Sequence, residues 1–554
     1  MTSPYIVDQG RKPVVHGPRM AASTGNPIVT ETVMAILAQG GNAADAAIAG
    51  ALVQAAVEPH LTSHAGMVSC LYWDETTRTT HLLNALGTLA PDLAPFRPVN
   101  GVGGWAREHA PGPQAAIPGF MPGLGTLHDK FGSLPWARLV EPAIRWAEEG
   151  HPVSSFEYGV NVFAAPFFTY FAEGREVFMP DGHLVPVGQL QRNPKLSATL
   201  RTLASEGPAH FTTGDWARDF VRAGNDLGWP VQLEHMTANP PRWHTPLGFS
   251  HRGHDIVSLG PPERQAVFCA IILGVLDELG VADMEPMGAD YVYYMGHLLR
   301  LAEQAVGFLH DSVAFGDATA ALMDPAYHRS LANILRSSRP RADLTEHVRL
   351  GSGAPAFAAT GWPAAKSSLS KAPLGSCEIS IADAHGNVIQ MMNTIQSGGI
   401  PGFAVGGVAM MGSHEQSSMA AHFQTWRVPG VRMRNIIGNT FIMRGGKPWL
   451  DLGTPGNVYA TVVQMLVNIL DFGMTPDAAS DVPRMLPLTD DYILAVEGRL
   501  SPQTVVDLTA RGIRLAPTLP WDWNMGSFQM VWRDPAGGWN AHADFRRTGA
   551  ASAR

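Results

Sequence analysis

Gly375-Ser376-Cys377-Glu378-Ile379-Ser380-Ile381-Ala382-Asp383-Ala384-His385-Gly386-Asn387-Val388-Ile389-Gln390-Met391-Met392-Asn393-Thr394 is the stretch on which the reading of this chain turns. Ile379 and Ile381, then Val388 and Ile389, form two short β-prone runs, and Asp383 to Asn387 supply turn residues between them. The pattern predicts a β-hairpin whose first strand begins at Ser376. Upstream, residues 351–375 are rich in Gly, Ala, Ser and Pro and have no sustained apolar period, which reads as an exposed loop. A small nucleophilic side chain therefore sits where a loose loop meets a strand.

A serine hydroxyl is a weak nucleophile without a base beside it. If the hydroxyl cut the Gly375–Ser376 bond, the freed α-amino group, with an ordinary pKa of roughly 7.7–8.0, would place a base on the same residue. That is the layout of a self-cleaving N-terminal-nucleophile hydrolase. Cys377, one residue on, is the other candidate for the new N-terminus. The plainer alternative is that Gly375 and Ser376 merely open a buried strand.

The rest of the chain sets the background. Its 554 residues suggest three or four domains, or else one large α/β core. Apolar residues make up 45% and charged ones only 16%, a balance that fits a globular enzyme and excludes a disordered or fibrous chain. The net charge of −9 is spread without a basic block, so neither nucleic acid nor an anionic membrane is an expected partner. Three cysteines, Cys70, Cys269 and Cys377, have no metal-like spacing, and the odd count argues against a disulfide framework. Residues 1–15 lack a continuous apolar core, so no signal peptide or membrane span is expected and the cytoplasm is the default location. No phosphate-binding loop, dinucleotide loop or convincing metal cluster is present in the pattern, and no cofactor is expected. His60 and His64 have a four-residue spacing, but Pro59 and Gly66 break the helix a metal pair would need, so they read as loop histidines.

Thr32 to Leu37 forms an apolar helical run stopped by Gly40-Gly41, and Asn42 is placed to cap a second, alanine-rich helix. Met67 to Trp73 reads as a strand, and Gln265 to Leu279 and Tyr291 to Phe308 as helices. Met391, Met392, Met410 and Met411 are either core residues or the lining of an apolar acyl pocket.

Several segments resemble, in order, the gamma-glutamyltransferase (gamma-glutamyltranspeptidase) family. Gly40-Gly41-Asn42-Ala43-Ala44-Asp45-Ala46-Ala47 is similar to its GGNA-x-DAA signature. Ile117-Pro118-Gly119, Gly123-Leu124 and His128 to Trp136 are similar to its PG, GL and LPW segment, continued by Glu141-Pro142-Ala143-Ile144. Pro261-Pro262 resembles a PPxSxG region without its Ser-Gly. Gly453-Thr454-Pro455-Gly456, Pro483-Arg484 and Asp544-x-Arg546 match late motifs. The resemblance implies an α/β (α+β) fold, a four-layer αββα sandwich. It also implies one precursor divided into a large-subunit portion, 1–375, and a small catalytic portion, 376–554, that stay interlocked, with a higher oligomer open.

Carried onto this chain, Ser376 stands where the family has its N-terminal threonine, so Gly375 and Ser376 mark the cleavage site. Thr394 matches a second threonine that hydrogen-bonds the nucleophile. Gly456 and Asn457 fall where two backbone N–H groups form an oxyanion hole, donors that need no particular side chain. The departures lie in substrate binding. The family arginine that clamps the glutamate α-carboxylate falls at Gly87, and glycine has no guanidinium fork. A binding asparagine falls at Gln396, a serine pair at Asn435-Ile436, and the acidic contact near Glu415. Arg427, Arg432 and Arg434 cluster before Asn435 and are either contacts for an acidic substrate or solvated loop residues.

The resulting expectation is an autoprocessing amidohydrolase or acylase that cleaves a small-molecule amide through an acyl-enzyme on Ser376, or transfers the acyl group to an amine. A genuine gamma-glutamyl hydrolase using another arginine is the enzymatic alternative. An unprocessed, inactive ligand-binding relative is the alternative of another class.

Overall fold

The hairpin forms as expected. Strand Cys377–Ala382 pairs antiparallel with Val388–Thr394, from Cys377 opposite Asn393 to Ala382 opposite Val388. The Asp383 carboxylate fixes the turn by accepting from the backbone N–H groups of His385 and Asn387 and from the Asn387 side-chain amide. The computed structural model describes residues 9–88, 116–306, 309, 317–337, 376–395, 399–410, 437–489 and 492–554. The loop expected over 351–375 lies outside them.

The hairpin is the centre of a seven-stranded sheet ordered Ala550–Ala553, Ala21–Thr24, Cys377–Ala382, Val388–Thr394, Met67–Asp74, Thr79–Ala85, Arg242–His244. A second seven-stranded sheet runs Val15–Gly17, Trp539–Ala543, Gln529–Arg533, Lys447–Gly453, Thr440–Arg444, His254–Ser258, Leu247–His251. Both sheets interleave strands from before and after residue 376. The length-based alternative of three or four domains therefore gives way to one interleaved core, because each sheet is built from strands on both sides of residue 376.

Side chains alternate across each strand, which separates the layers. Ile379, Ile381, Ile389 and Met391 face outward onto the helices Pro27–Ala38, Ala43–Val57, Phe120–Phe131 and Trp136–Glu149. Ala382, Val388 and Met392 face inward and meet Phe441, Val531 and Ala541 of the second sheet. The outer face of that sheet, Ile442, Leu450, Leu452 and Met530, is covered by Gln265–Glu278, Ala289–Val306 and Val458–Leu470. These are the four layers, α, β, β, α.

Local capping explains the helix starts. The Asn42 side chain accepts from the Asp45 N–H while Asp45 accepts from the Asn42 N–H, a reciprocal capping box. The alanine run behind it is buried on every side, since small side chains let this helix sit close between the sheet and its neighbours. Met391, Met392 and Met410 belong to packed cores, so of the two readings of these methionines the core reading holds for them; Met411 lies outside the described residues. Among the described residues, no helix is long and apolar enough to cross a membrane.

Candidate active site

The hairpin register decides where Ser376 points. One step beyond the Cys377–Asn393 pair, Ser376 comes opposite Thr394. Directly opposed residues share a face, and the alternation puts Ser376, Glu378, Thr394 and Met392 on the face between the sheets, with Cys377 on the helix side. Thr394 is thus placed beside Ser376 at the end of the central strand pair, and it is fully buried.

The second sheet brings up the loop that faces them. Strand Lys447–Gly453 ends at Gly453, and a Cβ there would collide with the Gln390 side chain across the gap. Glycine lets the sheets approach at this point. The loop then runs Thr454-Pro455-Gly456-Asn457 into helix Val458–Leu470. Gly456 is in the left-handed region at φ 82° and lies against Asn524 and Gly526, where a Cβ would meet the Asn524 carbonyl oxygen at 2.9 Å. Its shape is held by Thr454 Oγ1, which accepts from the Ser527 N–H at 2.8 Å. Among the described residues, neither the Gly456 nor the Asn457 N–H has a hydrogen-bond partner.

A cavity of about 10 Å³ lies at the junction, lined by Ser376, Glu378, Pro455, Ser527 and Arg547, and by Glu58 and Phe156. Its charges are buried. Arg547 is only 3% exposed. Its Nη1 donates to the Ser376 carbonyl at 3.4 Å and its Nε to the Trp523 carbonyl at 3.3 Å. Burial pushes its pKa down to about 10 against the opposing pull of Cys377, Glu58, Asp544 and Glu378. Burial raises the Glu378 carboxyl well above the usual carboxylate range, although Gln390 donates to its Oε2 at 3.1 Å and Arg547 is near. Burial likewise raises Glu58, which accepts from Gln54 at 2.9 Å and from the Cys377 thiol at 3.4 Å. The Cys377 thiol is pushed up by burial and then by Glu58, so it stays protonated.

A buried network braces the loop from behind. Arg484 pairs with Asp544 and donates to the Met525 and Gly526 carbonyls at 3.1 and 3.0 Å. Arg546 joins Asp544 at 3.2 Å to Glu497 at 2.6 Å. The Pro-Arg pair and the Asp-x-Arg motif are therefore two halves of one support for Gly526, against which Gly456 packs.

Ser376, Thr394, Gly456 and Asn457 are thus gathered at one end of the intersheet gap. Gly87 is buried just past strand Thr79–Ala85; its neighbours Leu86 and Thr88 line a separate cavity of about 200 Å³ with Ile117, Met236 and Pro240. Gly375, Gln396, Glu415, Arg427, Arg432, Arg434 and Asn435 lie outside the described residues. His60 and His64 sit in the turn after helix Ala43–Val57, both fully buried; burial lowers each to about 4, which keeps them neutral. Sequence reasoning missed Arg547, Glu58, Glu378, Ser527 and Phe156. The available signals were the arginine directly after Asp544-x-Arg546 and the glutamate two residues after Ser376. Among the described residues, no group of three or more His, Cys, Asp or Glu could hold a metal ion.

Comparison with known proteins fits this arrangement. The family model described as gamma-glutamyltranspeptidase matches residues 29–554. The glutathione hydrolase proenzyme of Escherichia coli is 24% identical over 530 residues, covering 92% of this chain and 87% of that protein. The acylase ACY 1 proenzyme of Pseudomonas sp. is 25% identical over 523 residues, covering 91% and 88%. In structure, the cephalosporin acylase of Bacillus halodurans superposes with a TM-score of 0.82 at 22% identity, covering 100% of this chain and 98% of that one. With its motifs in family order and its αββα layers in place, the chain belongs to the gamma-glutamyltranspeptidase family and is an enzyme of amide-bond chemistry.

Proposed function

We propose that the chain is an autoprocessing amidase or acylase whose nucleophile is Ser376. The observation that carries this reading is the placement of Ser376 on the intersheet face, opposite Thr394, in a cavity shared with the Gly453–Asn457 loop. In the proposed cycle, cleavage at Gly375–Ser376 frees the α-amine. The amine takes the hydroxyl proton as Oγ attacks an amide carbonyl, and the Gly456 and Asn457 N–H groups stabilise the oxyanion. The proton passes to the leaving amine, and water then releases the acyl group. Cys377 also borders this cavity but fits the role poorly, because its thiol stays protonated and donates to Glu58. The relatives named proenzymes support a cut into two interlocked portions. Intact-mass measurement and N-terminal sequencing of purified protein test the reading, which expects two associated fragments, the smaller beginning at Ser376. A wild-type chain that stays whole after folding would favour the inactive ligand-binding alternative.

Thr394→Val is expected to keep the fold but slow turnover by roughly 10²–10³-fold, the range for loss of one preorganised hydrogen-bond donor, while Thr394→Ser retains most activity. Equal kcat in wild type and Thr394→Val would reduce Thr394 to a strand residue.

Substrate preference follows from Gly87. A charged hydrogen bond contributes on the order of 1.5–3 kcal/mol, and a free amino-acid carboxylate would lose it here and be desolvated unpaired. Gamma-glutamyl anilides should therefore turn over at least about 100-fold more slowly than the best simple N-acyl or glutaryl amide, taking 1.4 kcal/mol per tenfold. A kcat/KM panel on processed enzyme decides, and a gamma-glutamyl compound at the top would restore the glutathione-type alternative.

A further inference from the structure

Self-cleavage poses a problem that turnover does not. Before the chain is cut, the Ser376 nitrogen is an amide without a basic lone pair, so the hydroxyl proton must go elsewhere. Of the ionisable groups around the cavity, Arg547 is already protonated, and Glu58 and Cys377 are tied to each other on the helix side of the strand. Glu378 differs. It stands two residues from Ser376 on the same face, is 1% exposed, and its Oε1 has no hydrogen-bond partner among the described residues.

Two more buried polar atoms on the same cavity wall share that condition, Arg547 Nη2 and Ser527 Oγ. A cavity of about 10 Å³ fits one water and little more. Buried waters characteristically make about three hydrogen bonds to polar groups that otherwise lack partners. One donor, Arg547, one acceptor, Glu378, and one hydroxyl that can accept, Ser527, match that requirement and leave the water's second lone pair open to the Ser376 hydroxyl.

We propose that this cavity binds one water through Arg547 Nη2, Ser527 Oγ and Glu378 Oε1, and that Glu378 accepts the Ser376 hydroxyl proton through it during self-cleavage. The inference rests on the reading of Ser376 as the self-cleaving nucleophile. The Oγ–H proton passes to the water as a water proton passes to the Glu378 carboxylate. Oγ bonds to the carbonyl carbon of residue 375 as the bond from that carbon to the Ser376 nitrogen breaks. The proton returns from Glu378 through the same water to that nitrogen, giving the free amine and an ester. A second water hydrolyses the ester to a carboxylate and restores the hydroxyl.

The groups facing Glu378 are Arg547, Gln390 and, across the strand, Cys377 and Glu58, with Asp544 acting on Arg547. Burial raises the Glu378 carboxyl, so the basic form is lost as pH falls through a window above the ordinary glutamate range. Self-cleavage should slow over that window.

The test follows fragment formation in freshly synthesised full-length chain between about pH 5 and 9, for wild type, Glu378→Gln and Ser376→Ala. The expected result is a wild-type rate that rises with pH to a plateau. Glu378→Gln should be roughly 10²-fold slower at the plateau, the low end for loss of general-base assistance, with the rising limb gone. Glu378→Gln that cleaves at the wild-type rate with the same limb overturns the proposal and leaves the Ser376 reading intact. Cleavage of Ser376→Ala overturns that reading instead. Should Glu378→Gln fail to fold, Glu378→Asp decides: a displaced limb supports the proton-acceptor role, and an unmoved one overturns it.

Discussion

Ser376→Ala is expected to run as a single 554-residue chain where wild type runs as two fragments, and to lose amidase activity by about 10⁶-fold, the order seen when a covalent nucleophile is removed. Both losses have one cause. In the proposed cycle the hydroxyl cuts the chain and then carries the acyl group, and among the described residues no other side chain stands opposite Thr394. Cys377 is the adjacent thiol, and it is buried and donates to Glu58. Ser376→Cys moves a better nucleophile onto the correct face and should still split. Intact mass, N-terminal sequence and a burst of acyl-enzyme read these outcomes separately. A small fragment beginning at Cys377 would transfer the role to the thiol.

Asp544→Ala should destabilise the fold by about 3–5 kcal/mol, because it leaves two buried arginines short of their counter-ion. Asp544 is fully buried between Arg484 and Arg546. Burial alone would raise its carboxyl, but the two guanidiniums outweigh that and hold it below the usual carboxylate range. The sign of the pH dependence follows. The folded chain binds the Asp544 proton more weakly than the unfolded chain, so the stabilisation is complete above the ordinary aspartate pKa of about 3.9 and is lost as pH falls through the lower folded value. Urea unfolding at pH 7 should show a much lower midpoint for the variant, with the difference shrinking in acid. An unfolding free energy within about 0.5 kcal/mol of wild type would mean that the network is not a support. Since Arg484 also holds the Met525 and Gly526 carbonyls, a milder Asp544→Asn should lower kcat more than it raises KM.

What could be read from the sequence was local. The hairpin and the Asn42 cap are each set by residues a few positions apart, so spacing alone exposes them. The Gly453–Gly456 loop and the role of Thr394 come from the family resemblance; the hairpin adds only that Thr394 ends its second strand. The cavity lining was not legible, because burial is decided by elements hundreds of positions apart. Arg547 near the C-terminus and Glu58 at the end of an N-terminal helix look like ordinary surface charges until the fold encloses them. The Pro483-Arg484 and Asp544-x-Arg546 matches were visible as separate motifs, but the contact that joins them spans sixty positions. The expectation for substrate contacts at Gln396, Glu415, Arg434 and Asn435 remains one of sequence.

The interleaving of strands has a consequence for how this enzyme ages. The strand that follows Ser376 is zipped to residues 21–24 on one side and, through its hairpin partner, to residues 67–73 on the other. In an uncut chain these partners share one covalent thread, so an unfolded molecule can search for its pairing alone. Once the thread is severed, the same pairing needs two molecules to meet, and recovery from unfolding becomes dependent on concentration. Under the proposed self-cleavage, activation and renewability are exchanged for one another: the cut that frees the amine also makes refolding an encounter of two chains, so working life is set by how slowly the two interlocked sheets open.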